Sequence, residues 1–168
     1  MIAIAERTFG LLALLAIVIA VGTAVALLTR RVPTWLKDEV ALPLALAIAT
    51  VTTFGSLLLS EVAGYPPCEL CWYQRIAMYP LVVVLGVAIA RRDREVWRTV
   101  LPLAGLGGAV SIWHILLERN PGWGGPCDEA APCTVLWVQE FGFLTLPTMA
   151  LIAFVSISLL SYVARRPS

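Results

Sequence analysis

The sequence predicts an all-α membrane protein built from transmembrane helices. Of the 168 residues, 60% are hydrophobic and only 14% are charged, whereas about 25% charged residues are typical of soluble domains. The hydrophobic residues are concentrated in five stretches of about 20 residues, and each could cross roughly 30 Å of hydrocarbon as a helix. Because isolated strands would leave backbone groups unpaired in lipid and no alternating barrel pattern is present, we expect helices.

The five apolar stretches define five predicted spans. They are Phe9 to Leu28, Val40 to Val62, Trp72 to Ala90, Thr99 to Leu117 and Leu144 to Val163. A cleaved signal peptide is the alternative for the first stretch, because the small residues Ala24-Val25-Ala26 are typical of a cleavage site. The apolar run is long for the core of a signal peptide, so we expect an additional transmembrane helix.

The basic residues indicate how the predicted spans are oriented. Nine of the 12 Lys and Arg residues fall in segments that share one side of the membrane: Arg30, Arg31, Lys37, Arg91, Arg92, Arg94, Arg98, Arg165 and Arg166. Cytoplasmic loops carry the excess of such residues. We therefore expect the loops over residues 63–71 and 118–143 outside, together with all four cysteines. The net charge of +1 gives no reason to expect a nucleic-acid partner.

The four cysteines form two close pairs, Cys68 with Cys71 and Cys127 with Cys133. Four cysteines permit three disulfide connectivities, and the short spacings favour pairing within each loop. A bridge across so short a loop removes little chain entropy from the unfolded state, so redox exchange is the more economical role. Inert structural bridges and a zinc site are the alternatives. The spacings depart from the usual zinc patterns, and we predict no metal.

The first cysteine pair lies where the third span begins. Pro66 and Pro67 end the preceding segment, which puts Cys71 at the start of a helix, where the N–H groups and the dipole favour a thiolate. Arg75 follows one turn later on the same face and can add its charge. A guanidinium in a membrane helix needs a partner, and here we expect that thiolate or a quinone oxygen. Snorkelling to the head groups is the alternative.

The second pair lies in a Gly- and Pro-rich segment, Gly122 to Cys133, which is predicted to be a mobile outer loop. His114 is expected near the outer end of the fourth span, at the depth of Cys71. It could protonate a quinone oxygen, although packing is the more frequent role of a membrane histidine. Further residues expected at the interface or as polar lining are Tyr65, Trp113, Trp123, Trp137, Glu61 and Gln74.

The stretch CELCWYQRIAMYP, from Cys68 to Pro80, closely resembles the DsbB family of quinone-reducing, disulfide-generating membrane proteins. The second cysteine pair and the run FGFLTLP, from Phe141 to Pro147, resemble the short-loop branch often called BdbC. The resemblance covers about Val40 to Val163. It implies a four-helix catalytic domain over residues 40–168, preceded by an additional transmembrane helix and a cytoplasmic loop over residues 1–39.

The resemblance also implies an activity, that of a thiol:quinone oxidoreductase of the bacterial cytoplasmic membrane. The implied partner is a soluble thioredoxin-like, DsbA-like thiol oxidase, and the implied cofactor is ubiquinone or menaquinone. The reduced partner would attack Cys127 and release Cys133, which would then attack Cys68. Cys71 would be freed as a thiolate and would deliver the electrons to a quinone beside Arg75, with His114 as a further candidate for the quinone site.

Two features depart from the best-known members of that family. One is the additional span from Phe9 to Leu28, and the other is the separation of the second pair by only five residues. The additional span contains no charged residue, so we expect it to serve packing or membrane insertion. The alternative functions are a vitamin K epoxide reductase-like quinone or epoxide reductase and a non-enzymatic scaffold with structural disulfides. The CELCWYQR pattern favours the DsbB family.

Overall fold

Five long helices make up most of the fold. The computed structural model describes residues 2–123, 127 and 131–165. Each long helix has the length and composition needed to cross a membrane, which confirms the all-α class and the five predicted spans. In chain order they are α1 (Ile2–Leu28), α2 (Ala41–Glu61), α3 (Glu69–Arg91), α4 (Trp97–Arg119) and α5 (Leu146–Ala164). Residues 124–126 and 128–130, for which we predicted a mobile loop, lie outside the described residues.

Several helix boundaries differ from the predicted spans. Helix α1 begins at Ile2 instead of Phe9, and α3 begins at Glu69 instead of Trp72. The hydropathy pattern marks the part of a helix that suits lipid, whereas backbone hydrogen bonding continues into the polar residues next to it. One consequence is that Cys71 lies inside the first turn of α3, while Cys68 is the residue that precedes the helix.

A short β-hairpin that was not predicted lies between α4 and α5. Its strands, β1 (Gln139–Glu140) and β2 (Leu144–Thr145), pair antiparallel. Phe141 and Gly142 in the turn have positive φ angles of 52° and 79°, and glycine adopts this conformation without steric cost. The hairpin contacts the N-terminal helix, because a Cβ atom at Gly10 would lie 3.2 Å from the ring of Phe141.

Small residues allow the helices to pack closely. Ala41, Ala45 and Ala49 form one fully buried stripe of α2, and small interface residues are typical of membrane helices that approach each other through van der Waals contact. Helices α4 and α5 meet in a similar way, since a Cβ atom at Gly107 would overlap the ring of the buried Phe154. These contacts hold α2 to α5 around one core.

Helix α1 packs along α5, and within the described part of the chain hydrogen bonds connect it to α5 and to the loop before α3. The Ser156 hydroxyl donates to the backbone oxygen of Ala16 at 3.2 Å. At the end of α1 that lies near the cysteines, the Tyr65 hydroxyl donates to Glu6 at 2.6 Å. The hydrogen bond to Glu6 raises the pKa of Tyr65, and burial adds to this effect. The N-terminal helix is therefore attached to the bundle at two depths.

Candidate redox site and adjoining cavity

The first cysteine pair is positioned by the start of α3. Cys68 has extended backbone angles and acts as the N-cap, so its sulfur accepts a hydrogen bond from the backbone N–H of Cys71 at 3.3 Å. The two Sγ atoms are 2.7 Å apart, in a dithiol. We expected the helix start to favour a thiolate at Cys71, but the helix N–H group reaches Cys68 instead.

The second pair forms a disulfide with unequal exposure of its two residues. Cys127 and Cys133 are bonded to each other, with their Cα atoms 5.8 Å apart, a separation within the range usual for disulfides. Cys133 is only 2% exposed and packs in a buried cluster with Cys68 and Leu117. Cys127 is more exposed. Cys127 therefore offers the more accessible sulfur of this disulfide.

His114 connects the two cysteine pairs. The Sγ atoms of Cys68 and Cys133 and a ring nitrogen of His114 all lie within 4.8 Å of one another. Nε2 of His114 is 3.1 Å from the backbone oxygen of Cys133 and 3.8 Å from Sγ of Cys68, and Nδ1 is 3.2 Å from the Gln74 amide nitrogen. Because a carbonyl oxygen can only accept, these partners assign the proton to Nε2. With a proton on Nε2, the ring can donate toward the Cys133 oxygen and the Cys68 sulfur.

The same three residues have the side-chain types that bind zinc. In this structure, however, the sulfur of Cys133 is bonded to Cys127, and a metal ligand has to be a thiolate. The cluster thus places one sulfur of each pair within 4.8 Å of the other.

The surroundings of Cys68 lower the pKa of its thiol. The largest cause is the hydrogen bond from the Cys71 thiol, and His114 and the N–H group of Cys71 contribute further, against an opposing effect of burial. A lowered pKa means that the thiolate, the nucleophilic form, persists at a lower pH than in an ordinary cysteine.

We predict that Cys68 titrates below the usual pH range of a cysteine thiol. In a Cys127→Ser/Cys133→Ser background, the thiolate absorbance should decrease only when the pH falls through this lowered pKa. Cys71→Ala and His114→Ala should each move the midpoint upward, because each removes a hydrogen-bond donor to the thiolate. Adding Cys68→Ser supplies the control, since that protein should lose the low titration. An unchanged midpoint in both variants would contradict the proposed cause.

Cys71 faces a cavity of about 300 Å³, within the size range of small-molecule sites. Its lining is mostly apolar, and most of its polar side chains lie near the end where α3 begins, with Thr52 and Tyr79 farther along. At that end, Cys71, Gln74 and Arg75 of α3 lie opposite Ser56 of α2. The cavity therefore combines a polar end beside a thiol with a longer apolar part.

Arg75 is buried at the polar end of the cavity, with only 8% of its surface exposed. Its Nε donates to the Ser56 hydroxyl and its Nη2 to the Ser56 backbone oxygen, both at 2.9 Å. The guanidinium also lies over the ring of Trp72, 5.2 Å from its centre. Arg75 therefore has the partner that a buried guanidinium needs, but this partner is Ser56 on a neighbouring helix, which we did not predict.

The other candidate residues do not all lie at the cavity. Gln74 lines the cavity as expected, whereas Glu61 and His114 are not among its lining residues. Sequence reasoning also missed Glu118, which accepts a hydrogen bond from Thr145 at 2.7 Å and shares a small pocket with Cys68 and His114. Its position one helical turn after His114 is the signal that could have identified it.

The fold and the site together define a multi-pass membrane protein that brings two cysteine pairs together at one end of its helices. The sequence profile of a family described as disulfide bond formation protein DsbB matches residues 37–164. The chain therefore belongs to the DsbB family. The match begins after α1, so the N-terminal helix lies outside the part of the chain that the family profile covers.

Several curated relatives are similar to this chain over most of their own length. Disulfide bond formation protein C of Bacillus subtilis is 47% identical over 112 residues, which are 66% of this chain and 81% of the relative. A probable disulfide formation protein C of Bacillus cereus is 39% identical over 130 residues, or 76% and 93%. A probable disulfide formation protein of Oceanobacillus iheyensis is 43% identical over 127 residues, or 74% and 88%. No solved structure matches the chain significantly.

Proposed function

We propose that this protein is a thiol:quinone oxidoreductase that reoxidises a soluble thioredoxin-like oxidase and passes the electrons to a membrane quinone. The cysteines would face the extracytoplasmic side of the bacterial cytoplasmic membrane. This orientation is supported by the nine basic residues that belong to the opposite ends of the spans. A disulfide formed on that side would also persist, because the compartment is oxidising.

One observation carries the proposal, and it is the order of the four sulfur atoms. Cys127 is the more exposed member of its pair, and the buried Cys133 has its Sγ within 4.8 Å of Sγ of Cys68. Cys68 contacts Cys71, and Cys71 lines the cavity. The sulfurs therefore form a continuous path from the protein surface to the cavity wall.

The exchange steps follow from this order. A thiolate of the reduced partner attacks Sγ of Cys127, a mixed disulfide forms, and Cys133 leaves as a thiolate. Attack by the second partner thiol then releases oxidised partner and the reduced Cys127–Cys133 pair. When the first pair is a disulfide, Cys133 attacks Cys68 and Cys71 leaves as a thiolate. Closure of the Cys127–Cys133 disulfide releases Cys68, so two electrons have moved to the first pair.

In the proposed cycle, each cysteine of the first pair carries a thiolate in a different state. In the dithiol, the N–H group of Cys71 and the ring of His114 hydrogen-bond to the sulfur of Cys68. In the state bridged between Cys68 and Cys133, Cys68 is no longer a thiol, and Cys71 carries the free sulfur next to the cavity. The charge of Arg75, one helical turn away, then favours a thiolate at Cys71.

The residues at the polar end of the cavity fit a quinone ring. The buried guanidinium of Arg75 and the amide of Gln74 would hold its carbonyl oxygens, and the apolar lining would take its hydrocarbon tail. Bound there, a quinone would supply an acceptor for two electrons and two protons, which side chains alone do not provide. Re-formation of the Cys68–Cys71 disulfide completes the cycle on the protein.

The direct test is quinone reduction by the purified protein in lipid nanodiscs. Reduced thioredoxin-like protein should reduce prenylated ubiquinone or menaquinone at a rate that depends on the added membrane protein. Protein whose four cysteines have been reduced and alkylated provides the control. Equal rates with the active and the alkylated protein would contradict the proposed function.

We predict that Arg75→Met raises the KM for quinone by at least about tenfold, the loss expected when a charge-assisted hydrogen bond to a ligand is removed. Disulfide exchange between the two cysteine pairs should continue, because Arg75 has no contact with Cys133 or His114 among its assigned hydrogen bonds. Arg98→Met is the matched control, as this exposed arginine pairs with Glu95 far from the cavity. A KM for Arg75→Met equal to that of Arg98→Met would remove Arg75 from the quinone site.

A further inference from the structure

The N-terminal helix forms part of the wall of the cavity beside Cys71. Residues of α1 from Phe9 to Ile19 line this cavity, together with residues of α2, α3 and α5. The family profile begins at residue 37, so this wall comes from a segment outside the matched region. We had expected the helix to serve only packing or insertion, and its place at the cavity indicates a second role.

Helices α1 and α2 face each other across the cavity. Helix α1 is held by α5, through the Ser156 hydrogen bond to Ala16. Near the polar end, the ring of Phe9 closes the gap to α2, because a Cβ atom at Gly55 would lie 2.8 Å from it. Farther along, Leu12, Leu15 and Val51 line the cavity and are nevertheless 39%, 56% and 41% exposed. The seam between α1 and α2 is therefore open on its lipid-facing side.

The length of the cavity suits a chain-like apolar ligand. Its lining on α2 extends from Ser60, near the cysteines, to Leu44, which is about 24 Å at 1.5 Å per residue. The guanidinium and the amide lie at the end beside Cys71, and Thr52 and Tyr79 lie about 12 Å farther along. The α1 side contributes only apolar residues such as Ala13 and Ile19. A ligand with a polar ring and a long hydrocarbon tail matches this distribution.

We infer that α1 is a quinone-binding element, whose apolar face holds the isoprenoid chain while the α1–α2 seam admits the quinone laterally from the bilayer. This inference rests on the proposed function and adds the tail site to it. The additional helix thus forms the wall of the cavity on the side that α2, α3 and α5 leave open.

A substitution on the cavity face of α1 tests this inference. Ala13→Trp should raise the KM for a prenylated quinone by about tenfold, the effect of excluding roughly two methylene groups from an apolar site. The KM for the same quinone ring without its isoprenoid chain should change less than about twofold, which is much smaller than the change expected for the prenylated quinone. Val18→Trp is the matched control, since Val18 is 67% exposed and does not line the cavity.

The outcomes separate the tail site from the proposed function. If the wild type reduces both quinones and Ala13→Trp resembles Val18→Trp with each, the inference about α1 is wrong while the proposed function stands. If the wild type reduces neither quinone, the proposed function itself fails, and the inference fails with it.

Photolabelling supplies a readout that is independent of activity. A prenylated quinone with a diazirine on its chain, incubated with the wild-type protein in nanodiscs, should label the peptide that contains Phe9 to Ile19. Excess unlabelled prenylated quinone should suppress the labelling, and Ala13→Trp should reduce it. Labelling confined to α2, α3 and α5 would overturn the inference even if the Trp variant folded poorly.

Discussion

A Cys71→Ser variant is expected to lose quinone reduction by at least about a thousandfold, since a hydroxyl cannot replace a redox-active thiolate. Of the four cysteines, Cys71 is the one that lines the cavity in the described part of the chain. Cys68 contacts Cys71 but is not among the lining residues. Cys68 would therefore have no direct contact with the acceptor, and its electrons would have to pass through Cys71. The measurement is quinone reduction in nanodiscs with reduced thioredoxin-like protein.

A Cys71→Ser/Cys127→Ser double variant should accumulate a disulfide between Cys68 and Cys133. Their sulfurs lie within 4.8 Å of each other, and neither Cys71 nor Cys127 remains to resolve the bridge. Mild oxidation of the reduced double variant, followed by alkylation and peptide mass analysis, should identify this product. It separates a broken relay from an unfolded protein, because misfolded chains would also form bridges between molecules.

Ser158→Ala is a suitable control for Cys71→Ser, because Ser158 lies on α5, donates to the Phe154 backbone oxygen and does not line the cavity. Its quinone reduction should remain within about twofold of the wild type, as expected for a small polar change away from the site. If Cys71→Ser retained a tenth or more of the wild-type rate, Cys71 would not be the donor to quinone. Cys68 would then have to reach the acceptor by another route.

The spans and the position of the first cysteine pair could be predicted because each depends on local sequence. Twenty apolar residues form a helix in lipid wherever they occur, and two prolines before Cys68 end one segment and precede the next. The helix start was displaced by three residues, which moved the N-cap role to Cys68. This small displacement decides which sulfur receives the helix N–H group, and hydropathy alone does not resolve it.

The remaining features depend on contacts between distant segments. Ser56 and Arg75 are 19 residues apart on different helices, and only the packing of α2 against α3 brings them together. The hairpin strands have two residues each, too short to produce an alternating pattern. The place of α1 at the cavity could not be predicted for another reason, since an apolar residue that lines a cavity has the same sequence pattern as one that faces lipid.

A Cys133→Ser variant should form a stable mixed disulfide with a thioredoxin-like protein through Cys127. We would present the partner with its resolving cysteine replaced and its remaining cysteine capped by glutathione. The Cys127 thiolate then attacks the partner sulfur, and glutathione leaves as a thiolate, so the exchange is balanced. Without Cys133, the second pair has no resolving thiol to displace the partner from Cys127. Non-reducing electrophoresis and peptide mass analysis would measure the adduct.

The reciprocal Cys127→Ser variant leaves Cys133 as the free thiol of the second pair and is the matched control. Cys133 is only 2% exposed and packs against Cys68 and Leu117, so a folded partner cannot reach its sulfur without displacing that cluster. We expect the adduct to form at least about tenfold more slowly than with Cys133→Ser, because exchange requires direct access to the sulfur. Equal rates would show that Cys127 is not the preferred point of attack. The greater burial of Cys133 relative to Cys127 would then have no part in directing electrons from the partner toward Cys68.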